Sequence, residues 1–153
     1  SRISGPILDR FDILLDVAEL RPSELLSDQL SESTADVRMR ILSSRKFAAA
    51  RQADQPEILN ANLEAKSLNE ELKNNEEIRT LYSEALEKQT LSARGFHKSI
   101  RVARTIADLA ASQQITRYHV LEALSYWRFF LFGADNGRKI GLACVNAIRP
   151  MMC

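Results

Sequence analysis

Hydrophobic positions recur at helical spacing over most of the chain, from about residue 23 to 128. The clearest stretch is Glu76 to Lys88. There Ile78, Leu81, Tyr82, Ala85 and Leu86 follow i, i+3, i+4, i+7, i+8, which predicts a core-facing stripe. A longer helix is predicted from about Ser92 to Ala110, with Ser92 as N-cap and Phe96, Ile100, Ala103 and Ala107 as its apolar face. An extended link at Gln114-Ile115 leads to Thr116, the expected N-cap of a helix through Val120, Ala123, Leu124 and Trp127. Upstream, a helix over roughly Ser33 to Ala53 is expected to bury Val37, Ile41 and Ala48 and to leave Arg38, Arg40, Arg45, Lys46 and Arg51 in water. Pro56 ends it or follows just after. A polar loop is read at Asn60-Ala61-Asn62, then a short helix from Ser67, with Glu70 completing a capping box.

Both ends break this pattern. Phe11-Asp12-Ile13-Leu14-Leu15-Asp16-Val17 is a short apolar run with acidic breaks and reads as one strand. No second strand follows it. A lone strand cannot pair its own backbone groups, so this one is assigned to a sheet outside the chain. After Arg128, Phe129-Phe130-Leu131-Phe132 is strongly apolar, and Gly133, Gly137 and Gly141 then interrupt any helix. The chain therefore divides into residues 1–22, a helical domain over 23–128, and an atypical tail over 129–153 of cloning or frame-shift origin.

Composition narrows the class. The 153 residues suffice for one domain with a modest core, and 45% hydrophobic with 27% charged residues is ordinary for a soluble globular protein. A formal net charge of +1 argues against a dedicated nucleic-acid-binding domain, though it allows a local basic stripe. Cys144 and Cys153 form no CxxC pair and lie far from His97 and His119, so no metal site is expected and a reduced, cytoplasmic setting fits. No apolar run reaches about 18 residues, so no membrane span is expected. The sequence starts at Ser1 without an initiator Met and is read as a piece of a longer protein.

Two stretches carry chemistry. In Ser4-Gly5-Pro6-Ile7-Leu8-Asp9-Arg10-Phe11-Asp12, an arginine precedes the apolar run. Such a guanidinium, planar and permanently charged, suits a subunit boundary where it meets phosphate held by a neighbour. An exposed ion pair with Asp9 or Asp12 is the equal alternative. In the second stretch, Arg94 and Arg101 fall within about 20° of each other on one helix face, with Lys98 and Arg104 nearby. Arg94 sits in the first turn, where unpaired N–H groups and the helix dipole favour an anion. A simple solvated face is the alternative there. No GxxxxGK[ST] loop, Ser/His/Asp set, paired carboxylates or HExxH occurs. His97 and His119 read as boundary histidines.

These stretches, in this order, resemble the magnesium-chelatase-like AAA+ ATPases, and within them the bacterial competence-protein branch. The resemblance rests on residues 2–12, on Leu91-Ser92-Ala93-Arg94, and on Arg101-Val102-Ala103-Arg104-Thr105-Ile106-Ala107-Asp108-Leu109. Asn60-Ala61-Asn62-Leu63 and the helix from Thr116 to Tyr126 also fit, so roughly residues 1–127 are covered. Replicative MCM helicases share the first motif, so the second one discriminates. The resemblance implies a mainly α fold: a helical AAA+ lid with an N-terminal strand left over from the AAA+ core. It implies that Arg10 is the arginine finger, that Arg94 is the sensor-2 arginine for the γ-phosphate of ATP, and that Arg101 is a further nucleotide-binding position. It also implies ATP and Mg in the full-length protein, a homohexamer, and helicase or branch-migration work on DNA in recombination and natural transformation. For true chelatases the work is metal insertion into a porphyrin. Walker A and Walker B elements are missing, so the isolated chain is expected to be inactive and to bind no cofactor. Two readings compete: a helical protein-interaction module, and a helix-turn-helix DNA binder over 92–110 and 116–127. Against the second stand the near-neutral charge and Ala103, Ala107, Ala110 and Ala111.

Overall fold

The computed structural model describes residues 10–15, 17, 22, 32–73, 75–87 and 91–132, with side chains up to Tyr126. Five α-helices lie among them: α1 (Thr34–Arg51), α2 (Ala65–Lys73), α3 (Glu76–Glu87), α4 (Ala93–Leu109) and α5 (Arg117–Phe132), with a 3-10 turn at Asn60–Asn62. The chain is helical, as the periodicity predicts. Where a strand was expected, the described residues of 11–17 form none. The physical reason is that a strand exists only against a neighbouring edge, and none is described beside it.

Helix α4 is the centre, packing against all four other helices and the 3-10 turn. Its start is set by Ser92, whose hydroxyl accepts from the Gly95 amide at 3.0 Å. Its predicted apolar face is real: Ile100, Ala103 and Ala107 are buried and Phe96 packs on the core. The alanines let neighbouring backbones approach closely. Around this face gather Leu68 and Leu72 of α2, Ile78 and Tyr82 of α3, and Val120, Ala123 and Leu124 of α5. Burying each of the leucine, isoleucine and valine side chains among them contributes about 1.5–3 kcal/mol. Tyr82 meets Phe96 edge to face at 4.9 Å, and its hydroxyl shares a 3.2 Å hydrogen bond with Ser99. Burial pushes that phenol well above its ordinary value.

α4 ends in a Schellman arrangement. The Ser112 amide bonds the Ala107 carbonyl at 2.8 Å and the Ala111 amide bonds the Asp108 carbonyl at 3.1 Å. Ala111 takes φ 51 there, a left-handed position that costs an alanine about 1–2 kcal/mol.

Several expectations need correction. α1 starts at its Ser33 cap, but it buries none of its residues: Val37 and Ala48 are half-buried and Ile41 is 47% exposed. Arg51, expected in water, is half-buried. The loop at 60–62 is a 3-10 turn. The short helix begins at Ala65, so Ser67 lies inside its first turn and is not its cap. α3 is capped by Asn75, whose side-chain oxygen accepts from the Ile78 amide at 3.2 Å. Ile115, read as a link, is buried in the core. α5 runs to Phe132, beyond the expected end, and the remaining tail over 133–153 lies outside the described residues.

Candidate functional site

The four cations of α4, expected to share one basic stripe, have four different fates. Arg94, in the first turn, is exposed. Lys98, one turn on, has a side chain only 14% exposed: its Nζ lies 3.1 Å from the Asp12 carboxylate and donates to the Phe11 carbonyl at 3.2 Å. That clamp ties the segment just after Arg10 to α4. Arg10 itself is exposed in a turn. Arg101 is half-buried and donates through Nε and Nη2 to the Leu63 carbonyl, at 3.2 and 2.9 Å, holding the end of the 3-10 turn.

Arg104 is a correction. It is not on a solvated face but fully buried, at 0% exposure. A buried guanidinium is tolerable only if its charge and all its donors are met. All five N–H groups have partners. Nε and Nη2 donate to Asp108 Oδ1 at 3.2 and 2.9 Å, and Nη2 also reaches the Ser112 carbonyl. Nη1 donates to Glu71 Oε2 at 3.2 Å and to the Gln113 carbonyl at 3.0 Å. Those two carbonyls belong to the turn that strains Ala111, so the arginine holds that turn in place.

Asp108 is the hub. Besides Arg104 it receives Arg51 Nε on Oδ1 and Arg51 Nη2 on Oδ2, both at 3.2 Å, and Asn60 Nδ2 on Oδ2 at 2.7 Å. Arg51 also reaches Glu71 Oε1 at 3.3 Å and Asn60 Oδ1 at 3.1 Å. Two guanidinium groups thus face two carboxylates. The spacing of α4 holds a signal for half of this network: Arg104 and Asp108 follow Ile100 by four and eight residues, close to the apolar stripe and an ion-pair step apart. Arg51, Asn60 and Glu71 join only through folding.

Two further polar groups lie nearby. His119 Nδ1 accepts from the Thr116 amide at 3.1 Å, so the histidine takes the role of the reaching-back residue in a capping box at the start of α5. Burial, then the Arg104 charge, lowers its pKa from 6.5, against an opposing effect of Glu122. His97 Nδ1 is buried with no hydrogen-bond partner among the described residues. A cavity of about 380 Å³ opens between the N-terminal segment and α4 and α5, lined by Asp12, Ile13, Arg101, Leu109, Glu122 and Tyr126 among others. In it the Tyr126 hydroxyl donates to Glu122 at 2.9 Å, and burial with that contact pushes the phenol up to about 12. Among the described residues no three His, Cys, Asp or Glu side chains cluster as metal ligands, and no helix is long and apolar enough to cross a membrane.

An exposed guanidinium at a helix start fits one oxygen of a phosphate group. The same helix is immobilised by an apolar face at its middle and by the ionic network at its far end. The described residues thus supply a charged group on a fixed support, but no loop that would cradle a polyphosphate.

Comparison with known proteins identifies what this arrangement accompanies. Residues 31–127 match the family described as magnesium chelatase, subunit ChlI C-terminal. The chain is 37% identical over 127 residues to the competence protein ComM of Haemophilus influenzae, which covers 82% of the chain and 24% of that protein. It is 38% identical over 128 residues to the uncharacterized protein YifB of Escherichia coli, again 82% of the chain and 24% of that protein. A mycobacterial relative, the uncharacterized protein Rv2897c, is 31% identical over 125 residues, covering 82% of the chain and 25% of that protein. The chain spans about a quarter of the length of these relatives.

Proposed function

The chain belongs to the magnesium chelatase family, as its ChlI-type C-terminal domain, and on that premise we propose that it is the helical lid of a AAA+ ATPase that senses bound ATP. The observation that carries this reading is Arg94: an exposed arginine in the first turn of the helix that everything else in the domain holds still. ATP with Mg supplies the phosphoanhydride bond whose hydrolysis drives such a motor. The part of this chain is to bring charge. Arg94 acts as sensor 2 toward the γ-phosphate, and Arg10 is the finger offered to the next subunit of a homohexamer. Arg101 is committed to the Leu63 carbonyl, so its contribution to nucleotide binding runs through the placement of the 3-10 turn. The finer reading of the work done, helicase or branch migration on DNA in recombination and natural transformation, draws on the similarity to a competence protein. A metal-chelatase motor is the reading that the family description favours. A helical protein-interaction module draws on α1, whose Met39 and Leu42 are 67% and 49% exposed.

The test is Arg94→Ala in the full-length protein. Hydrolysis should fall by on the order of tenfold or more, as for loss of one charge-stabilising donor, while the thermal midpoint stays within about 2 °C. Wild-type turnover would remove Arg94 as a sensor. DNA-stimulated turnover separates the competence-like reading from the chelatase one.

A further inference from the structure

α1 is held unlike any other helix of the domain. It has no buried residue, and the core and the half-buried apolar side chains packed on it come from other elements. Val37, Ser44, Phe47, Ala48 and Ala49 are half-buried, and its last residue adds directional polar contacts. The Arg51 side chain is 13% exposed and reaches Asp108, Glu71 and Asn60 at once. An apolar contact tolerates sliding. A guanidinium fork on a buried carboxylate does not, because each bond is directional and charge-assisted. In a site of low dielectric those bonds strengthen one another.

The helix that carries Asp108 also carries Arg94, fourteen residues earlier, about 21 Å along the axis. We propose that Arg51 is a positioning residue, and that the Arg51–Asp108–Arg104–Glu71 network is the joint by which α1 moves as one body with the helix bearing Arg94. The joint follows from the contacts alone; its trigger rests on the sensor reading of Arg94. When α4 tilts, the half-buried Phe47, Ala48 and Ala49 give α1 only a partial apolar seat. α1 follows through Arg51 and carries with it its exposed outer side, with Arg38, Met39, Leu42 and Arg45.

Hydrogen exchange, followed peptide by peptide in the full-length protein with and without a non-hydrolysable ATP analogue, tests this. Without nucleotide, Arg51→Met keeps the volume and removes the fork. Amides of residues 37–50 should then exchange on the order of tenfold faster, while those of α3 and α4 keep their protection. Arg51→Lys, with charge but no fork, should fall between. With nucleotide, wild-type α1 should change its exchange, and Arg51→Met should lose that response while binding the analogue within about twofold of wild type. Unchanged α1 exchange in Arg51→Met would overturn the joint. So would equal acceleration throughout the domain, because Arg51 would then be a stabilising residue and nothing more. A wild-type α1 indifferent to bound analogue would overturn the coupling. If Arg94→Ala hydrolyses normally while Arg51→Met releases α1 alone, the sensor reading fails and the joint stands.

Discussion

α1 and α4 are nearly the same length, 18 and 17 residues, and each begins at a serine whose hydroxyl accepts from the amide three residues on. Local chemistry builds both in the same way. They differ in what holds them. α4 buries Ile100, Ala103 and Ala107 completely, whereas α1 buries nothing and leaves Met39, Ile41 and Leu42 in water. α4 is positioned by area removed from water, and α1 by partly buried residues near its end and by the fork of Arg51 on Asp108, Glu71 and Asn60. A helix can thus be well specified locally and still lean on one polar side chain for its place in the domain.

The largest expected effect comes from removing the hub of that contact. Asp108→Ala leaves two guanidinium groups, one of them fully buried, without their shared carboxylate. Loss of one partner from a buried ion pair costs about 3–5 kcal/mol. Urea unfolding should show that loss, and a cost under about 1 kcal/mol would mean that water or Glu71 takes over and that the polar joint is not a joint.

The same truncation in the two helices sharpens the contrast. Ile100→Ala removes a side chain at 0% exposure and should cost about 2–5 kcal/mol. Leu42→Ala removes one at 49% exposure and should change stability by less than about 0.5 kcal/mol. Similar losses at both sites would show that the outer side of α1 is covered in solution.

The smallest effect is a pH dependence at the start of α5. The folded pKa of His119 lies below 6.5, so protonation disfavours the folded state. The stability it contributes is present above pH 6.5 and is lost as pH falls from there through the folded value. The mechanism is direct: a protonated Nδ1 becomes a donor and can no longer accept from the Thr116 amide. His119→Gln can reach back to the same amide without titrating. Thermal midpoints measured between about pH 5 and pH 8 should fall on acidification in wild type and fall less in His119→Gln. Parallel curves would assign the acid sensitivity to other groups.

The helical class, the central helix and its apolar face were legible in the sequence, because periodicity and a serine cap are local properties that neighbouring residues determine. The stripe of α3, except Leu86 at 38% exposure, and the buried Val120, Ala123 and Leu124 of α5 were legible for the same reason. Position in a family was legible too, since the arginine motifs occur in order. The fate of the charges was not. Arg94, Lys98, Arg101 and Arg104 are all cations on one helix, and only the elements packed against each decide between an exposed position, a carboxylate, a carbonyl and complete burial. The same holds for α1: its amphipathic spacing predicted a buried face, but burial needs a partner surface, and the tertiary structure covers α1 only in part, leaving none of its residues fully buried. The physical reason is range. Helix formation is settled over one or two turns, whereas the desolvation of a charge depends on groups that the chain brings together from Arg51, Asn60, Glu71 and Asp108.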